Sequence, residues 1–169
     1  YMVDETTGKV TFTPNKDFVG TPDGIKVQAK DANGTPATAT YTPTVTPVAP
    51  TAENVESTGK QGQEQKQTPK FTEGDPVAPI TINADQPAKF IDPTTGEPTD
   101  ATELPAMKDG KQVGTYKLDP LTGEVTFTPN KDFVGTPDGI SVQAKDANGT
   151  TATAKYTPTV TPVTPTAED

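Results

Sequence analysis

The 169-residue chain contains no cysteine, histidine, tryptophan or arginine, and Ser57 and Ser141 are its only serines. Without histidine or cysteine it can build neither a Ser-His-Asp nor a Cys-His arrangement, nor the usual thiolate and imidazole zinc site. Lysine, serine and carboxylates remain, but no pattern among them assigns a catalytic, cofactor-binding or metal-binding residue, so the expectation is a protein that is not an enzyme and needs no cofactor. A formal net charge of −9, with all 14 basic residues lysine, argues against nucleic acid, whose binders cluster Lys and Arg to neutralise phosphates. The same charge argues against an anionic membrane surface. No apolar run approaches the ~18 residues that span a bilayer, and Tyr1 is not followed by a basic and then apolar leader. The chain is therefore expected to be an interior piece of something larger.

Apolar residues are also sparse. Leu, Ile, Val and Phe make up 28 of 169 residues, below the one-fifth level that, with high charge, marks disorder. An unstructured spacer is thus one reading. Against it stand a modest charge density, a repeat, and alternation that a disordered thread has no reason to keep.

Residues 1–54 return as residues 116–169 at a constant offset of 115, with ten mismatches and 44 identities. Such a period marks tandem modules. The changes fall on one set of side chains: Lys9 becomes Glu124, Lys26 becomes Ser141 and Thr40 becomes Lys155. Val10, Phe12, Ile25, Val27, Ala29, Tyr41 and Val45 return unchanged as Val125, Phe127, Ile140, Val142, Ala144, Tyr156 and Val160. Apolar and changing positions alternate at period two, the pattern of strands with one core face and one wet face.

Turn residues punctuate the strands. Tyr116–Leu118 and Glu124–Thr128 flank Asp119-Pro120-Leu121-Thr122-Gly123, and residues 140–145 and 150–161 flank Asp146-Ala147-Asn148-Gly149. Pro presets φ and Gly supplies a positive φ, so both segments read as hairpins, repeated around Asp4–Gly8 and Asp31–Gly34. In the last strand Ala37, Ala39, Tyr41, Pro43, Val45 and Pro47 share one face and threonines the other. Proline cannot donate to a ladder, so this end is expected at a sheet edge or leaving the sheet as a linker. Residues 52–115 are less regular: Glu56–Gln67 is polar, and Phe71, Ile80, Ile82, Phe90 and Ile91 are scattered anchors. Short strands, frequent turns and no helical period predict an all-β chain of antiparallel immunoglobulin-like β-sandwich repeats arranged as beads on a string. The expected division is residues 1–50 as the C-terminal half of a preceding repeat, 51–165 as a complete repeat with Pro-rich connectors, and 166–169 as the start of the next. In a permuted register, residues 1–115 would form the bead instead.

The strings Gly-Glu-Val-Thr-Phe-Thr-Pro (123–129), Asp-Phe-Val-Gly-Thr-Pro-Asp-Gly (132–139), Val-Gln-Ala-Lys-Asp-Ala-Asn-Gly-Thr (142–150) and Tyr-Thr-Pro-Thr-Val-Thr-Pro-Val (156–163), with Phe-Thr-Glu-Gly-Asp-Pro at 71–76, carry a resemblance. The chain resembles the CshA-type fibril repeats of streptococcal cell-wall-anchored surface adhesins. The resemblance implies an extracellular stalk module whose partners are neighbouring repeats, projecting a distal adhesive region that engages host matrix such as fibronectin. The Leu-Pro-x-Thr-Gly sorting signal of the family is absent, Leu104-Pro105-Ala106-Met107 and Pro120-Leu121-Thr122-Gly123 being only echoes. Anchoring and ligand capture are therefore expected in other parts of the parent protein.

Three motifs have a functional reading. Asp31-Ala32-Asn33-Gly34 and Asp146-Ala147-Asn148-Gly149 begin like a calcium loop but lack its later ligands, which favours a plain turn. Asn33-Gly34-Thr35 and Asn148-Gly149-Thr150 match the glycosylation sequon. Lysine and asparagine could form an intramolecular isopeptide staple, but no spacing singles out a pair. With phenylalanines and tyrosines fitting core positions, no exposed aromatic cluster is expected. The favoured function is a structural stalk; the alternative is that the repeats themselves bind a host matrix protein or another microbe.

Overall fold

Asp119 and Asp146 each organise a turn with their own carboxylate. In the computed structural model, which describes residues 1–169, Asp119 Oδ1 accepts the amide of Leu121 at 3.0 Å and its carbonyl accepts the amide of Gly123 at 2.8 Å. Gly123 sits at φ 82°, a conformation in which a Cβ is strained. The hairpins expected from the sequence form on these turns.

The chain divides into two compact units, Tyr1–Val48 and Ala49–Asp169, built from fifteen β-strands and no helix. The first unit holds β1 (Met2–Val3), β2 (Val10–Thr11), β3 (Ile25–Lys30) and β4 (Pro36–Tyr41). The second holds β5 (Thr51–Glu53), β6 (Val55–Lys60), β7 (Gln65–Gln67), β8 (Lys70–Thr72), β9 (Lys89–Ile91), β10 (Pro98–Thr99), β11 (Glu103–Lys108), β12 (Lys111–Leu118), β13 (Val125–Pro129), β14 (Ile140–Lys145) and β15 (Thr151–Thr161).

In the second unit a five-stranded sheet, β10-β9-β14-β15-β6, and a four-stranded sheet, β11-β12-β13-β7, form a β-sandwich, with β5 and β8 as a separate pair. Every pairing is antiparallel except β15 with β6. The alternating residues of the hairpins point inward: Val125, Phe127, Ile140, Val142, Ala144, Tyr156 and Val160 are all buried, joined by Phe90, Ala106, Tyr116 and Leu118. Tyr116 lies opposite Phe127 in the β12–β13 register, ring centroids 5.3 Å apart, and meets Tyr156 of the other sheet edge-on at 6.3 Å. Such geometries add about 0.5–1.5 kcal/mol each to the burial of the rings.

The polar stretch 56–67, irregular by its sequence, supplies two edge strands. Gln65 of β7 is buried because its amide is matched: Nε2 donates to the Thr159 carbonyl at 3.0 Å, and Oε1 accepts from the Ser57 hydroxyl. Gly59 makes room for it, since a Cβ there would fall 2.9 Å from the Gln65 side chain.

The proline-rich end of the last strand stays in the sheet as far as Thr161. Tyr156 is the last residue of β15 paired with β14; from there to Thr161 the ladder continues with β6, and Val160 also bridges Gly135. The Val160 amide points away from β6, to the Gly135 carbonyl at 2.8 Å. Residues two apart direct their amides to the same side, so the missing N–H of Pro158 falls on that open side and removes no bond to β6.

The first unit repeats the hairpins in shortened form: β1 pairs with β2 and β3 with β4, as separate two-stranded ladders. None of residues 1–48 is fully buried. The period-two pattern that marks a core face in residues 116–163 therefore lies open in residues 1–48, where strands equivalent to β6, β7 and β9 do not flank it.

In the second unit, Phe127→Ala removes a ring with no exposed surface and is expected to cost on the order of 3–5 kcal/mol. Thr126→Ala, on the other face of β13, is expected to cost well under ~1 kcal/mol. Denaturant titration of the two variants checks the inward assignment, which equal shifts would contradict.

Candidate functional site

Asp146 and Asp31, the residues that begin the calcium-like segments, spend their carboxylates on their own turns. Each Oδ1 accepts two main-chain amides at 2.9 Å: Asn148 and Thr150 for Asp146, Asn33 and Thr35 for Asp31. Asp146 is buried, its Oδ2 lacks a partner, and its carbonyl accepts from Gln86 Nε2 at 3.0 Å. No group of three or more His, Cys, Asp or Glu side chains converges there or elsewhere, whereas a hard cation takes six or more oxygens. Both Asn-Gly-Thr sequons occupy these same turns. Among the lysines and asparagines, the side chain of Asn54 meets Lys155 only through the main-chain amide, at 2.9 Å. The ion pairs Lys66–Glu64, Lys89–Asp100 and Lys117–Glu103 lie at the surface and contribute little.

The ionisable groups most altered by folding are two core tyrosines. Burial raises the Tyr116 hydroxyl well above its ordinary value, reinforced by the neighbouring Tyr156 and Asp138. It donates to the Asp138 carbonyl at 2.7 Å. Burial also raises Tyr156, opposed by its hydrogen bond with Ser57. The Tyr156, Ser57 and Gln65 chain ties β15 to β6 and β7, so these groups hold sheet edges together.

The exposed feature of note lies in the first unit, and sequence reasoning missed it. Tyr1, Ile25 and Tyr41 are 45, 39 and 41% exposed, whereas their counterparts Tyr116, Ile140 and Tyr156 are 1, 2 and 0% exposed. Tyr1 packs at a tilt against Phe12, ring centroids 5.1 Å apart, and meets Tyr41 edge-on at 6.3 Å. The expectation of no exposed aromatic cluster is corrected: the alternation identifies an apolar face without saying whether anything covers it. Beside these rings a groove of about 670 Å³ runs along Val10, Ile25, Val27 and Ala29.

The raised tyrosines set a pH dependence. A group that holds its proton more tightly when folded contributes stability that is complete below its unfolded value, ~10 for tyrosine, and is lost as pH rises towards the folded value. The urea midpoint of the second unit is therefore expected to fall above about pH 10. Tyr116→Phe, which cannot ionise, is expected to lose about 0.5–1.5 kcal/mol at neutral pH with its hydrogen bond and to show a shallower alkaline decline. An unchanged alkaline slope in that variant would remove Tyr116 as a source.

Comparison with known proteins places this arrangement. No curated protein matches the chain. Among solved structures it is similar to the PKD domain (329–428) from human KIAA0319, with TM-score 0.40 and 10% identity over 73% of this chain and 90% of that one. It is also similar to PcdhgB3 EC1-4, with TM-score 0.40 and 17% identity over 83% of this chain and 40% of that one. Extracellular cadherin domains 1–4 of Protocadherin Gamma B7 give TM-score 0.39 and 16% identity over 89% and 41% of the two chains. The family model described as the surface adhesin CshA repetitive domain matches residues 1–45 and 47–160. Matched over nearly its whole length, the chain belongs to that family and is a repeat module of a surface adhesin.

Proposed function

We propose that the chain is a structural stalk module of a bacterial surface fibril, without catalysis, that projects a distal adhesive region of its parent protein away from the cell wall to which the parent is anchored. The observation that carries this reading is the fate of the aromatic face in the covered repeat. Tyr116, Phe127 and Tyr156 are sealed inside the sandwich, and the large apolar side chains that remain at the surface, Val77, Leu121, Val134 and Val163, are single aliphatic residues. Interface hot spots favour Trp, Tyr and Arg, and a covered repeat presents few of them. Beyond Thr161 the chain continues as Pro162-Val163-Thr164-Pro165 without regular structure, matching Pro47-Val48-Ala49-Pro50 ahead of β5. Proline-rich chain favours extended polyproline II, so such connectors act as semi-rigid spacers between beads. The net charge of −9 keeps neighbouring fibrils soluble and mutually repulsive.

The alternative, direct binding of a host matrix protein by the repeats, draws on the open aromatic face of residues 1–48. That face is closed wherever the second half of a repeat is flanked as residues 116–163 are. For a spacer, the chain is expected to show no saturable binding to immobilised fibronectin up to tens of micromolar, and tandem arrays of residues 49–163 are expected to lengthen linearly with copy number in small-angle scattering. Saturable binding at micromolar concentration or below would replace the stalk reading with the adhesive one.

A further inference from the structure

In the second unit the chain enters the sandwich on β6 and leaves it on β15, and these two strands are neighbours running in the same direction. They pair over six residues of each, from Tyr156 opposite Val55 to Thr161 opposite Lys60, in the one parallel ladder of the molecule. Because the strands are parallel, the chain enters and leaves at opposite ends of that ladder. Tension applied between Ala49 and Val163 therefore draws β6 towards its start and β15 towards its end, along the strands. A slide of about 3.3 Å, the rise of one residue, puts every bond of the ladder out of register together.

The seam is tied more closely than its polar sequence suggests. Gln61 donates its amide to the Thr161 carbonyl at 2.8 Å. Residues two apart face the same side, so the amides of Ser57 and Gly59 also face β15, and that of Thr58 faces the open edge. Further bonds cross at the same place: the Lys155 amide to Asn54 Oδ1 at 2.9 Å, the Thr161 hydroxyl to the Gly59 carbonyl at 3.2 Å, Gln65 Nε2 to the Thr159 carbonyl at 3.0 Å, and the hydroxyl pair of Ser57 and Tyr156. On its other edge, past Tyr156, the main chain of β15 has the Val160–Gly135 bridge. The one proline inside this stretch, Pro158, lacks its N–H on that other edge, so the ladder with β6 is left whole.

We propose that the parallel β6–β15 ladder is a mechanical clamp: tension along the repeat passes from β6 directly to β15 in shear, and the sandwich core is not pulled until the ladder gives way. Bonds loaded in shear share the force and break together, whereas bonds opened from one end break singly. Forced unfolding is governed by the unfolding rate rather than by equilibrium stability, so the geometry of loading sets the resistance. The shorter β5–β8 pair lies ahead of the ladder and is likewise pulled along its strands. The proposal rests on the stalk reading for the source of the tension alone. Fibronectin binding tests that reading, and the force measurement below tests the clamp.

The chain has no cysteine, so pairs of introduced cysteines attach handles at chosen points of the full-length protein for single-molecule pulling. Ala49→Cys with Val163→Cys loads the ladder in shear. Glu64→Cys with Val163→Cys draws apart the adjacent ends of β6 and β15 and opens the ladder from Thr161 inward, one pair at a time. At equal pulling speed the first pair is expected to unfold at a force at least about twice that of the second, because several bonds must break together. In the first geometry Ser57→Pro, which removes an amide facing β15, is expected to lower the force towards that of the second geometry. Thr58→Pro, whose amide faces the open edge, is expected to leave it unchanged. Equal forces in the two geometries would overturn the clamp whatever the variants do, since the folded protein is otherwise the same in both. Equal weakening by Ser57→Pro and Thr58→Pro would also overturn it, because resistance would then lie outside the ladder.

Discussion

The pairing of β6, β7 and β9 with the edges of β15, β13 and β14 is the constraint on which the rest of the second unit depends. These flanking strands are short and largely polar, and little in them would fold alone. They close the open sides of two hairpins, and that closure excludes water from Tyr116, Phe127, Ile140 and Tyr156. The parallel pairing of β6 with β15 holds the proline-rich end of the strand in the sheet and sets Ser57 against the Tyr156 hydroxyl, while Gln65 of β7 bonds the Thr159 carbonyl. Main-chain pairing, polar matching and apolar burial thus support one another at a single seam.

This arrangement suits a chain in which only 28 of 169 residues are Leu, Ile, Val or Phe. Hydrophobic burial scales with area removed from water, about 25 cal/mol per Å². With few large side chains available, each must be completely enclosed to contribute fully. The small residues Ala106, Ala144, Ala152 and Ala154 are buried beside them, and the hydroxyls of Tyr116 and Tyr156 are satisfied internally. A surface left to threonine, lysine and carboxylates then gives a soluble bead that can follow another along a proline connector, which is what the proposed stalk needs.

Much of this was legible in the sequence. Both hairpins, their Asp- and Gly-based turns and the inward set from Val125 to Val160 follow from alternation and turn chemistry, which are local. The flanking half was not legible, because β7 is Gln-Lys-Gln, with Gln65 buried by hydrogen bonding rather than hydrophobicity, and β9 and β10 are too short to show a period. The open face of residues 1–48 was hidden for a different reason. Alternation reports which side of a strand is apolar, but cover comes from residues distant in sequence. The structure of Tyr41–Thr46 and Tyr156–Thr161 differs although the six residues are identical, so strand length there is a tertiary property.

Native-state amide hydrogen exchange on the full chain tests that claim most directly. Alternation places the amides of Thr157, Thr159 and Thr161 towards β6, and those of Thr42, Thr44 and Thr46 at the matching bare edge. If the flanking strand governs, the first three are expected to exchange orders of magnitude more slowly than the second three, despite identical local sequence. Equal protection of the two triplets would mean that local sequence sets the strand, and would contradict the account.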